Sequence, residues 1–276
     1  MSENRHAKKT PPRMLEVQWV HRLSPNLLRV ALGGPDLEGF PANRNGAHIK
    51  VFLPQQGQSE PELPELGANG PVWPPRDRRP ITRTYSVRRL DTEAGILEID
   101  FVVHGDEGPA SAWARRAAPG QRIGIAGPGG PDPLLGSADW YLLAGDITAL
   151  PAISALLEEC PASAQGQAII EVPTADDCQE LTCQADIAIH WLVRERPAGQ
   201  DRQLIDAVEA IDWPAQRCFA WIAGENATVV HIRNLLRRSH GLQRQQMYAV
   251  PYWKASLSEE RYHQERHHIM DTFDND

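Results

Sequence analysis

Trp140-Tyr141-Leu142-Leu143-Ala144-Gly145-Asp146-Ile147-Thr148-Ala149-Leu150-Pro151 is the stretch on which the fold turns. Trp140 to Ala144 is a continuous apolar run, as strands buried on both faces of a parallel sheet are. Gly145-Asp146 interrupts it. Ala149, Ile153, Leu156, Leu157 and Cys160 then recur at helical spacing. Pro151 falls in the first helical turn, where its missing N–H costs little. A strand, a tight turn and a helix in that order predict an α/β layer.

The pattern repeats downstream. Ala168–Val172 and Ile187–Val193 read as strands, and Leu204, Val208 and Ile211 mark a helix. Cys218–Ala223 reads as a strand, Thr228–Ser239 as a helix stopped by Gly241, and Met247–Trp253 as a last strand. Strands alternating with helices imply a parallel sheet with helices on both faces. Ala223-Gly224-Glu225-Asn226 occupies a place equivalent to Ala144-Gly145-Asp146. Ligands of open α/β sheets bind at such strand ends. Neither turn is G-x-G-x-x-G, so a standard dinucleotide fold is not indicated.

Upstream the period changes to two. Leu15, Val17 and Trp19 alternate with polar neighbours, as do Leu28, Val30 and Leu32. In His48–Leu53, residues Ile49, Val51 and Leu53 face one way and His48, Lys50 and Phe52 the other. Leu97, Ile99, Phe101 and Val103 alternate with Glu98 and Asp100, and Ile123 and Ile125 give another short strand. Short alternating strands with Gly/Pro punctuation suggest a β-barrel or sandwich. Between Gln55 and Pro80 the chain is rich in Pro, Gly and Glu, which predicts a long inserted loop, mobile or covering something.

The expected organisation is an arm over 1–13, a β domain over 14–133, an α/β domain over 134–258 and a tail over 259–276. Ser258–Asp276 holds His263, His267 and His268, too few ligands for a metal site, and reads as an exposed helix or disordered tail. The net charge of −8 over 276 residues argues against nucleic acid as a bulk partner. No apolar run approaches a membrane span, and no secretory signal is evident. Cys160, Cys178, Cys183 and Cys218 form no CxxC pair, so reduced thiols in the cytoplasm are expected.

Three segments carry chemistry. In Arg83-Thr84-Tyr85-Ser86, Tyr85 offers a flat ring for stacking, Arg83 a fork of donors for phosphate, and Ser86 a hydrogen bond to a ring edge. His104-Gly105-Asp106-Glu107-Gly108-Pro109-Ala110-Ser111 leads into a helix through Trp113 to Ala118. Ser111 is then either a simple N-cap or part of a pyrophosphate site at a helix N-terminus. The turn at Gly145-Asp146 is the third, where Asp146 or Thr148 caps a helix or meets a ligand.

These segments, with His48–Pro54, Ile99–Gly105, Ala126-Gly127-Pro128, Trp221–Glu225 and Tyr252-Trp253, resemble the siderophore-interacting proteins, or ferric-siderophore reductases, of the ferredoxin-reductase-like superfamily. The likeness runs from about Leu15 to Lys254. It implies a Greek-key antiparallel β-barrel binding FAD, then a parallel α/β domain taking NADH or NADPH. By position, Arg83, Thr84, Tyr85, Ser86, His104, Gly108, Ala110, Ser111 and Trp113 would hold the flavin. Asp146, Thr148, Ala149, Arg194, Gly224 and Glu225 would meet the nicotinamide. The substrate would be a ferric siderophore or similar chelate, held by Lys50, Lys254 and Arg244.

The chain departs from the family pattern at Gly129, where a basic residue is common, at Ile147, where an acidic one is, and at Pro251, where glycine is usual. The nicotinamide stays open. Glu171, Asp176 or Asp177 would favour a ribose hydroxyl and NADH, while Arg194 and Arg196 could bind a 2′-phosphate. Other readings are a flavoprotein reductase serving ferredoxin or free flavin, or a non-catalytic siderophore-binding protein. A cytoplasmic monomer with no nucleic-acid or membrane partner is expected.

Overall fold

A computed structural model describes residues 11–68, 70–103, 108–197, 200–255, 257 and 259–275. The expected arm therefore falls outside the described residues over 1–10, and Arg13 already opens the first strand. The chain divides into two compact units, one reaching Arg22 and resuming over Leu28–Gly130, the other formed by Leu23–Leu27 with Pro131 onwards.

The first unit contains β1 (Arg13–Ser24), β2 (Leu27–Gly33), β3 (His48–Leu53), β4 (Glu65–Gly67), β5 (Gly70–Val72), β6 (Ile81–Ser86), β7 (Arg89–Asp91), β8 (Ile96–Val102), α1 (Pro109–Ala114) and β9 (Arg122–Gly129). Seven strands join in the order β6-β3-β9-β1-β2-β8-β7 as an antiparallel barrel sheet. Alternation places Leu15, Val17, Val30, Ile49, Val51, Leu97, Ile99, Phe101, Ile123 and Ile125 in one core, all fully buried. Trp19 continues the register of Leu15 and Val17 but is 38% exposed. Asp100 is buried too, because Arg29 binds it through two parallel hydrogen bonds of 2.7 and 2.8 Å.

The stretch from Gln55 to Pro80 is a docked cover rather than a bare loop. It contains the small β4–β5 hairpin. Leu63 packs on Gly124 beside Phe52, and Phe52 meets Trp73 edge-on with centroids 6.0 Å apart. The ion pair Arg122–Glu60 at 2.8 Å ties it to β9, and Arg78–Glu62 at 3.0 Å joins two points within it.

The second unit contains β10 (Trp140–Asp146), α2 (Leu150–Glu159), β11 (Gln165–Val172), β12 (Asp186–Val193), α3 (Gln203–Glu209), β13 (Cys218–Glu225), α4 (Asn226–His240), β14 (Met247–Trp253) and α5 (Glu259–Asn275). The strands run parallel in the order β12-β11-β10-β13-β14. Numbered along the unit that is 3-2-1-4-5, the dinucleotide-fold order without its glycine fingerprint. Leu204 and Val208 of α3 and Val229, Ile232 and Leu236 of α4 pack on Leu142, Ala144, Ala220 and Ile222. Helix α2 covers the opposite face, where Gly145 makes room for Ala149 and Ile153. Helix α4 ends at Gly241, at φ 66°.

Over its described residues the tail is the helix α5, which leaves Arg261, His268, Asp271 and Thr272 exposed but buries two aromatic rings. Tyr262 is 1% and Phe273 8% exposed. Tyr262 Oη donates to Asn226 Oδ1 at 2.8 Å, and the Arg233 guanidinium lies 3.9 Å over the Phe273 ring. These two aromatic anchors, eleven positions apart in a polar sequence, give a weak helical signal on their own.

Candidate functional site

In the first unit, β6 pairs with β3 so that Tyr85 opposes Ile49, Arg83 opposes Val51, Thr84 opposes Lys50 and Ser86 opposes His48. Arg83 and Tyr85 therefore share the face of the core residues Ile49 and Val51. Tyr85 is half-buried, and its ring leans on Phe101 at 4.4 Å, which leans on Trp113 of α1 at 5.4 Å. A rigid aromatic backing behind a partly open ring is what a stacked isoalloxazine requires. Ser86 is 5% and Ser111 2% exposed.

Helix α1 ends at Ala114, short of the expected Ala118, and its cap is Gly108. Ser111 is thus the third helical residue and not the cap. Ala110 and Ser111 lie in the first turn, ahead of the helical hydrogen-bond ladder that begins with Ala112 N to Gly108 O. Arg83, Ser86, Ser111 and the first-turn amides of α1 are each donors of the kind a phosphate-bearing flavin needs, with Ser86 on the strand face opposite to Arg83 and Tyr85. His104 lies outside the described residues.

Lys50 stands on the opposite face of the β3–β6 pair and donates from Nζ to Thr84 Oγ1 at 2.6 Å. Gly129 is explained by His48, whose imidazole takes the space where a side chain at 129 would begin.

In the second unit, the strand order reverses at the gap between β10 and β13, and Asp146 closes that gap. Its Oδ1 accepts from Thr148 N at 2.8 Å and Thr148 Oγ1 at 2.5 Å. Its Oδ2 accepts from Glu225 N and Trp253 Nε1, both at 2.8 Å. Gly224 is fixed by this arrangement: its φ is +137°, and a Cβ would lie 2.6 Å from Asp146 Oδ2. Ala149 donates to Asp146 O and caps α2. Glu225 caps α4 by accepting from Ala227 and Thr228 amides, and its other oxygen accepts from Ala255 N at 3.2 Å.

Glu171 and Arg194, which suggested opposite nicotinamide preferences, bind each other: Arg194 Nε donates to Glu171 Oε1 at 2.8 Å. Burial pushes the Glu171 carboxyl upward, and Arg194 partly offsets it. They line a narrow crevice with Asp146, Asp201, Glu225 and Thr228. Asp177 does not line it. It is fully buried and accepts from Ser24 Oγ at 2.6 Å, Asn26 N and Nδ2, and Thr174. Burial opposes its ionisation, but these hydrogen bonds prevail and hold its pKa below the ordinary carboxylate value.

Of the expected substrate cations, the two in the second unit lie at opposite ends of its sheet. Lys254 follows β14 and pairs with Glu265 of α5. Arg244 opens the turn before β14, at the other end of the sheet from Asp146. The sequence reading missed Trp253, Asp177 and Glu265 as partners, because each pairs with a residue remote in sequence or on an element of weak pattern. Among the described residues, no three His, Cys, Asp or Glu side chains group to hold a metal. No helix there is long and apolar enough to cross a membrane.

A flavin-ready antiparallel barrel sheet followed by a 3-2-1-4-5 parallel sheet defines a two-unit protein of ferredoxin-reductase-like fold. Residues 16–132 match the siderophore-interacting FAD-binding domain, and residues 138–256 match the siderophore-interacting protein model. The chain belongs to the siderophore-interacting protein family. It is 43% identical to the ferric vibriobactin reductase ViuB of Vibrio cholerae, over 94% of this chain and 96% of that one. It is 33% identical to the NADPH-dependent ferric-chelate reductase of Escherichia coli, over 88% and 93%. The siderophore-interacting protein SipS of Aeromonas hydrophila superposes with a TM-score of 0.80 at 39% identity, over 95% and 98%.

Proposed function

We propose that this chain is an FAD-dependent ferric-siderophore reductase that draws on NADH or NADPH. The observation that carries the reading is the half-buried Tyr85 ring backed by Phe101 and Trp113. Arg83, Thr84, Tyr85, Ser86, Gly108, Ala110, Ser111 and Trp113 hold the flavin in this account. When bound, FAD supplies the conversion of a two-electron donor into a one-electron reductant.

The chain's own residues orient the partners. Tyr85 fixes the plane of the ring, and Arg83 takes phosphate charge. Asp146, Thr148, Ala149, Gly224 and Glu225 shape the strand-end crevice for the nicotinamide donor, with Asp146 positioning β13 and β14 rather than touching the reacting atoms. No side-chain acid or base is required. The substrate is a ferric siderophore or chelate. Catecholate and hydroxamate oxygens hold Fe(III) far better than Fe(II), so reduction loosens the complex. Lys50 and Lys254 are separate candidates to attract the anionic chelate, Lys254 by exchanging Glu265 for it. A monomer acting in the cytoplasm, with ferredoxin as a secondary redox partner, completes the proposal.

The test is direct. Purified protein should be yellow, NAD(P)H should bleach it without oxygen, and a ferric siderophore should restore the colour. Protein that binds a ferric siderophore yet never takes up flavin would be a carrier, and the proposal would fail.

A further inference from the structure

The carboxyl edge of the parallel sheet bears on which nicotinamide the chain takes. In register, Asp146 of β10 lies beside Glu171 of β11. Glu171 therefore stands at the end of the second strand in the 3-2-1-4-5 order, where the ribose of a dinucleotide's adenosine rests. Four carboxylates line the crevice, Asp146, Glu171, Asp201 and Glu225, against one cation, Arg194.

Three of the four are engaged through hydrogen bonds from backbone amides, with Thr148 Oγ1 and Trp253 Nε1 added at Asp146. Asp146 accepts four hydrogen bonds. Glu225 accepts three, from Ala227, Thr228 and Ala255 amides. Asp201 accepts from the amides of Glu195, Arg196 and Gln203. Glu171 differs. It is 8% exposed, Arg194 binds its Oε1, and among the described residues no donor is assigned to its Oε2. That oxygen is the acceptor left to a ligand.

The geometry points to Glu171 as the residue that selects NADH over NADPH, accepting the adenosine ribose 2′-hydroxyl and excluding a 2′-phosphate. The inference rests on the nicotinamide-dependent reading above. A hydroxyl donates well to a carboxylate, whereas a phosphate is mostly dianionic near neutral pH and would meet a lining of four carboxylates against one cation. Arg194 does not reverse this, because its charge is already matched by the carboxylate that orients it. Glu171 is a specificity residue, and Arg194 is a positioning residue acting through it.

Binding of NAD+ and NADP+ to the FAD-loaded full-length protein, measured by calorimetry, tests this apart from turnover. The wild type should bind NAD+ about tenfold or more tightly than NADP+, with the same order in kcat/KM for the reduced forms. Glu171→Gln should shrink both ratios several-fold, because the neutral amide no longer repels phosphate. Wild-type protein that prefers NADP+ overturns the inference whether or not the variant folds, and leaves the reductase reading standing. A folded Glu171→Gln protein with unchanged ratios overturns the assignment to Glu171. If neither oxidised nucleotide binds and neither NADH nor NADPH bleaches the flavin, the inference and the nicotinamide-dependent reading fall together.

Discussion

Trp253 Nε1 donates to Asp146 Oδ2 at 2.8 Å, joining residues 107 positions apart at the ends of β14 and β10. With the Glu225 amide on the same oxygen, this bond makes Asp146 the tie between three strands at the point where the sheet order reverses. The buried carboxylate is satisfied by donors that an amide could not serve in full.

Asp146→Asn should therefore be costly. An amide nitrogen cannot accept from Trp253 or Glu225, so buried donors are left unpaired, at about 2–4 kcal/mol. Thermal unfolding should show a clear fall in Tm, with a smaller fall for Trp253→Phe. Wild-type stability in Asp146→Asn would remove Asp146 from its positioning role.

Tyr85→Ala should weaken flavin binding about tenfold, as expected for loss of one stacked aromatic. Tyr85→Phe keeps the ring and should retain affinity. Fluorescence titration of the apoprotein with FAD reads both. Equal loss in the two variants would shift the interaction from the ring to the hydroxyl.

Much of this was legible in the residues. Continuous apolar runs gave the parallel strands, and alternation gave the barrel strands, because each signal is local. Gly145-Asp146 and Gly224-Glu225 marked the strand-end turns from their chemistry alone. The β4–β5 hairpin was hidden because three-residue strands show no period. Asp177 looked like a ribose ligand because its partners Ser24 and Asn26 lie 153 and 151 positions away. Glu265, which pairs Lys254, and Phe273, which seats Arg233, lie on a polar helix whose docking only the folded chain reveals.

Asp177 predicts a pH signature. Its folded pKa is depressed below the unfolded value of about 4. Its stabilisation is therefore present above that value and is lost as pH falls through the folded pKa. In denaturant titrations, the stability gap between wild type and Asp177→Asn should be constant near neutrality and narrow in acid. A gap independent of pH would contradict the ionised assignment.

Truncation after Ser258 removes Tyr262 and Phe273 from buried sites and strips Arg233 of its aromatic partner. Two large side chains lost from cover should cost roughly 3 kcal/mol or more. A truncated chain with unchanged Tm would return the helix to the status of a free tail.

The central claim, transfer of electrons through flavin to chelated iron, is tested most directly by anaerobic stopped-flow on the FAD-loaded protein. After reduction by one equivalent of NADH, mixing with a ferric catecholate or hydroxamate siderophore should restore the oxidised flavin absorbance and yield Fe(II) trapped by a ferrous chelator. Flavin that stays reduced in the presence of every ferric chelate, while reoxidising with another acceptor, would contradict it.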